Sequence, residues 1–92
     1  MPDAFIWYEA DEKLEPALIQ WMQHVEAEAD IKGAFYIRKQ DKGHATFMEV
    51  YNQITTATIN RIERMAAKQA LFKNINRRCE SFIRIDPGSD YS

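Results

Sequence analysis

The residues with the means to do chemistry in this chain are Glu49, Glu80, Arg38 and Arg84, interleaved with the aromatic side chains Trp7, Tyr36, Phe47, Tyr51 and Phe82. A carboxylate enclosed by aromatic rings loses hydration, so its pKa rises and it can act as a general base. An arginine in the same enclosure can hold an anionic substrate through two parallel N–H···O bonds. The same charges also admit a structural reading. Arg38 can reach Glu49 diagonally across a hairpin, and Arg84 and Glu80 share one strand face, so ion pairs within the chain or across a dimer would satisfy them all. Glu9 adds a further charge to the set. His24 falls inside a helical stretch and His44 in a turn, each apart from any nucleophile or base, and both are read as facing solvent. One cysteine, Cys79, and two isolated histidines spell no metal site, and no cofactor is expected.

The elements that position these residues follow from changes in hydrophobic period. Residues 4–9 are short and aromatic, flanked by acidic residues, as a strand would be. From Asp11 onward Leu14, Leu18, Met22 and Val25 recur at helical spacing beside Trp21, with Pro16 tolerable only in the first turn. Residues 33–39 and 45–51 read as a hairpin around Lys42-Gly43, in which Ile37 faces Met48, Phe35 faces Val50 and Tyr36 faces Glu49. A second helix is expected over 56–72, with Ile59, Ile62, Ala66 and Ala70 on one side and Thr55 or Thr56 as its cap. Alternation returns over 78–85 as a fourth strand.

The order is βαββαβ. With right-handed crossovers it gives an α+β, ferredoxin-like sandwich: a four-stranded antiparallel sheet of strand order 4-1-3-2, with two helices on one face. Residues 1–85 form this one domain and residues 86–92 a flexible C-terminal tail. Sorting the strands by parity places Ile6, Phe35, Ile37, Met48, Val50, Cys79, Ile83 and Ile85 toward the helices. The other face then carries Phe5, Trp7, Glu9, Tyr36, Arg38, Phe47, Glu49, Tyr51, Glu80, Phe82 and Arg84. So many aromatics mark a surface that something covers.

Composition bounds the function. The chain has 92 residues, 46% of them hydrophobic, with 12 Lys+Arg against 14 Asp+Glu and a net charge of −2. A domain this small buries only roughly 60–65% of the surface its unfolded chain exposes, so a homodimer through the open face would add useful burial. The N-terminus has neither the basic residues nor the apolar stretch of a signal peptide, and no run suits a membrane span, which points to a cytoplasmic protein. RNA-recognition domains share this element order, but their third-strand signature needs stacking aromatics. Lys42-Gly43-His44-Ala45-Thr46-Phe47-Met48-Glu49 loses those aromatics, and the acidic balance gives no footprint for phosphate, so no nucleic acid is expected. The basic residues Arg61, Arg64, Lys68, Lys73, Arg77 and Arg78 read as a solvated helix face.

Phe5-Ile6-Trp7-Tyr8, Phe47-Met48-Glu49-Val50-Tyr51 and Arg77-Arg78-Cys79-Glu80-Ser81-Phe82 together resemble a small uncharacterised proteobacterial family, a domain of unknown function with a Trp/Phe-Met-Glu-Val-Tyr motif. The resemblance runs nearly to Ile85. Its departure is Glu9, where the family often carries a basic residue. More distantly, the chain is similar to the dimeric α+β barrels of the antibiotic-biosynthesis monooxygenase group. That resemblance implies a bacterial homodimer whose two sheets close on one another around a pocket for a small organic molecule. The alternative it implies is a cofactor-independent monooxygenase-like or isomerase-like enzyme acting on a small aromatic substrate, with Glu49 or Glu80 as base. The haem-degrading members carry an iron-binding histidine on the second helix. Residues 56–72 contain none, so haem is not expected.

Overall fold

The computed structural model describes residues 1–88, so residues 89–92 of the expected tail lie outside the described residues. Strand β1 spans Asp3–Asp11. A single 3₁₀ turn follows, in which the Asp11 carboxylate accepts from the Lys13 backbone N–H at 2.9 Å. This turn hands the chain to helix α1, Glu15–Ala29, with Pro16 in the first turn, where its missing N–H has no helical partner to lose. Asp30 closes α1 in the left-handed region, at φ 53°. Strands β2, Ala34–Lys39, and β3, His44–Tyr51, form the hairpin. Helix α2, Thr56–Ala67, opens on Thr55, whose hydroxyl accepts from the Thr58 N–H at 3.1 Å. Strand β4, Arg78–Phe82, ends the fold.

The sheet order is β2-β3-β1-β4 with antiparallel neighbours, the ferredoxin-like arrangement that the element order implies. Both helices contribute to one core. Leu18, Trp21 and Val25 of α1 and Ile59, Ile62 and Ala66 of α2 pack on Ala4, Ile6 and Tyr8 of β1 and on Ala45, Phe47 and Tyr51 of β3. Helix α2 stops at Ala67, short of the expected Phe72. Gln69 turns extended, and a separate 3₁₀ turn, Ala70–Phe72, drives the Phe72 ring edge-on into Tyr8 and Trp21. The fourth strand also ends early. Ile83 and Ile85 lie beyond it, 68% and 81% exposed, and Cys79 on this edge strand is exposed rather than in the core.

One hairpin detail overturns the expected facing of β3. Three residues, 41–43, separate Gln40 from His44, whose carbonyl accepts the Gln40 N–H at 2.8 Å. Lys42 and Gly43 take φ 61° and 78° to make the turn. An odd loop moves the pairing by one residue relative to a loop of two or four, and side chains alternate with period two, so β3 is inverted relative to expectation. Phe35 faces Glu49 and Ile37 faces Phe47, while Tyr36 faces Met48. Phe47, Glu49 and Tyr51 therefore point under the helices, and Thr46, Met48 and Val50 take the open face. Gly33, just before β2, is demanded by this packing: a Cβ there would lie 2.5 Å from the Tyr51 ring and 2.8 Å from the Met22 methyl.

Candidate functional site

The inverted strand buries a carboxylate. Glu49 is 0% exposed, and every oxygen of it is engaged. Oε2 accepts from the Tyr8 hydroxyl at 2.7 Å, the Trp21 indole N–H at 3.1 Å and Arg77 Nη1 at 2.7 Å, while Oε1 accepts from the Tyr51 hydroxyl at 2.7 Å and Arg77 Nη2 at 3.2 Å. Arg77 also donates through Nη2 and Nε to Glu63 of α2, at 2.7 and 3.1 Å. Its guanidinium lies 4.5 Å from the centre of the Phe72 ring and just over 5 Å from those of Tyr8 and Trp21.

Burial, then the neighbouring Glu49 charge, pushes both the Tyr8 and the Tyr51 hydroxyl well above the ordinary tyrosine range. For Arg77, burial works against the cation, and the bonds to Glu49 and then Glu63 more than restore it. Each donor is therefore held in the protonation state that lets it donate. A carboxylate with all its acceptor sites filled has no lone pair free to take a substrate proton. Glu49 thus belongs to the architecture, paired with Arg77 rather than with the expected Arg38, and Arg77 belongs to the core rather than to a solvated helix face.

The open face holds the rest of the expected set. The cross-strand row Tyr36, Met48, Trp7, Arg78 crosses all four strands, with the row Arg38, Thr46, Glu9 beside it and Val50, Phe5, Glu80 on the other side. Phe82 meets Phe5 edge-on at 5.6 Å and closes one end. These rows shape an open concavity of about 640 Å³ over Trp7, Met48 and Phe5, between Tyr36 and Arg38 of β2 and Glu80 and Phe82 of β4. Of the ten residues expected there, Trp7, Tyr36, Arg38, Glu80 and Phe82 line it. Phe47, Glu49 and Tyr51 lie on the opposite side of the sheet. Glu9 lines an adjoining recess, and Arg84 lies beyond β4, 3.9 Å from the Asp3 carboxylate.

Met48 and Arg78 escaped the sequence reading, as did Thr46 and Ile37, which also line the concavity although Ile37 was expected under the helices. Met48 replaces Phe47 in the floor, a direct result of the loop count. Arg78 stands beside Trp7 on the face of Glu80 and Phe82, and the alternation over 78–82 already placed it there. Among the described residues no group of three or more His, Cys, Asp and Glu is placed to hold a metal ion, and no helix is long and apolar enough to cross a membrane.

No family model and no curated protein matches the chain. Similar solved structures include the de novo designed protein Foldit4, at TM-score 0.68 and 15% identity, covering 91% of this chain and 98% of that one. The C-terminal domain of the MgtC protein from Mycobacterium tuberculosis superposes at TM-score 0.63 with 10% identity, covering 89% of this chain and 88% of that domain. A PII-like signaling protein from Thermus thermophilus superposes at 0.60 with 12% identity and the same coverage. At these identities the likeness establishes the ferredoxin-like fold alone.

Proposed function

We propose that the chain works as a homodimer whose two open sheet faces meet and enclose an aromatic pocket for a small organic molecule. The observation that carries this reading is the open face itself. Trp7, Phe5 and Met48 form its floor, and Tyr36 and Phe82 stand over half exposed at its two sides. Together they form one contiguous apolar surface, the kind of patch that marks an interaction site.

A second copy is the occupant that the charges favour. Arg38 and Arg78 are balanced by Glu9 and Glu80, so two copies meet without net repulsion, whereas a nucleic acid would ask for a basic face. The pocket's concavity leaves room between the sheets where flat ones would close completely. Light scattering across a range of concentrations tests the association. A species near twice 10.8 kDa is expected, reverting to monomer when Trp7→Glu places a charge in the floor. A strict monomer at all concentrations refutes the dimer.

A further inference from the structure

Next to the apolar concavity, and sharing Trp7, Arg38 and Thr46 with it, lies a smaller recess of about 350 Å³ whose remaining walls include Arg78, Asn74, Asn76 and Glu9. Arg38 and Arg78 come from the two edge strands, three strand spacings or about 14 Å apart, and both line this recess. Neither makes a salt bridge or side-chain hydrogen bond among the described residues, in contrast to Arg77, which is saturated by two carboxylates. Glu9 lines the recess without lying within 4.0 Å of either guanidinium. The recess itself is lined by two guanidinium groups and one carboxylate, with Glu80 on the adjoining concavity, so it is locally cationic, and the Asn74 and Asn76 amides offer neutral donors beside it. An apolar floor running into a polar end with unpaired guanidinium groups matches a molecule that is itself divided in the same way.

We infer that the molecule held on the open face is an amphipathic monocarboxylate. Its flat apolar body lies over Trp7 and Met48, and its carboxylate sits in the recess between Arg38 and Arg78. A recess lined by two guanidinium groups and one carboxylate matches a monoanion better than a phosphate dianion, and guanidinium groups suit the two-oxygen geometry of a carboxylate. This inference rests on the proposed small-molecule pocket and adds the chemical class of what fills it.

The test compares 1-naphthylacetate with the neutral 1-naphthylacetamide, which has nearly the same shape, by calorimetric titration of the intact protein with amide chemical shifts as a second readout. The acid should bind about tenfold more tightly than the amide, the ~1.4 kcal/mol of one charge-assisted contact, with shifts at Trp7, Arg38 and Arg78. Arg38→Gln and Arg78→Gln should each weaken binding of the acid severalfold more than binding of the amide, so that the preference for the acid falls severalfold. Both positions are exposed on edge strands, so the variants should fold, and an unchanged thermal melt confirms that they do. Equal binding of acid and amide overturns the carboxylate assignment and leaves the pocket standing. Binding of neither at millimolar concentration overturns both. A preference for the acid that survives both substitutions places the anion elsewhere and overturns the assignment to this recess.

Discussion

Replacing Arg77 by methionine keeps much of the side chain's length and apolar stem while removing the one cation that faces Glu49. The carboxylate then sits fully buried with three neutral donors, Tyr8, Trp21 and Tyr51, and no opposite charge. Removing one member of a buried pair costs about 3–5 kcal/mol, because the remaining charge keeps its desolvation and loses its compensation. A chain of this length has roughly 5–14 kcal/mol of stability in all, so Arg77→Met should lose about a fifth of it or more. At a urea slope near 1 kcal/mol/M, the unfolding midpoint falls by about 3 M or more.

Glu49→Gln should cost less, about 1–3 kcal/mol. Arg77 keeps Glu63 as its anion, and the glutamine carbonyl still accepts from a tyrosine. The double variant should then be more stable than Arg77→Met alone, since no buried charge is left orphaned. Urea unfolding of the three variants checks all of this. A cost below about 1 kcal/mol for Arg77→Met, or a cost for Glu49→Gln that equals or exceeds it, refutes the assignment of Glu49 and Arg77 as a charge pair in the core.

Three further outcomes follow from the same packing. The raised Tyr8 and Tyr51 hydroxyls stay protonated in the fold while the unfolded chain ionises near pH 10, so stability is full below that pH and falls above it. The expected slope is about 2.7 kcal/mol per pH unit for the two together, and thermal melts from pH 8 to 11 should show it halved in Tyr51→Phe. Gly33→Ala forces the Tyr51 ring and the Met22 methyl aside and should cost about 1–3 kcal/mol in urea unfolding. Thr55→Ala removes the cap of α2 and should cost about 1 kcal/mol, read as a lower melting temperature with the circular dichroism of the native state unchanged.

The element order, the sheet order and the two helical stripes were legible because each is a local periodicity tied to a topological rule. The relative facing of β2 and β3 was not. Parity within a strand is local, but the link between two strands depends on whether the loop holds an odd or even number of residues, and Gln40-Asp41-Lys42-Gly43-His44 allows either. Strand β3 gave no correction of its own, since Phe47 and Tyr51 on one parity compete with Met48 and Val50 on the other. A carboxylate on the aromatic parity then argued for solvent. Its compensation lay 28 positions away in Arg77, outside any regular element. Only the parity of 77 and 79 hinted that this arginine turns toward the helices while Arg78 turns away.

The buried carboxylate also bears on the order in which the chain assembles. Apart from Tyr51, two positions away, its partners stand 41, 28 and 28 positions from it, at Tyr8, Trp21 and Arg77, so no local segment can fully satisfy it in advance. Until the last turn before β4 is in place, any compact intermediate holds an uncompensated charge at its centre and is penalised for it. Such wiring favours all-or-none folding over a populated collapsed state, and its long loops set a slower rate than the helical content alone would suggest. The network thus acts as a checkpoint: it adds little net stability over an apolar core of the same shape, yet it admits only the one arrangement of strands and helices that brings all its donors together.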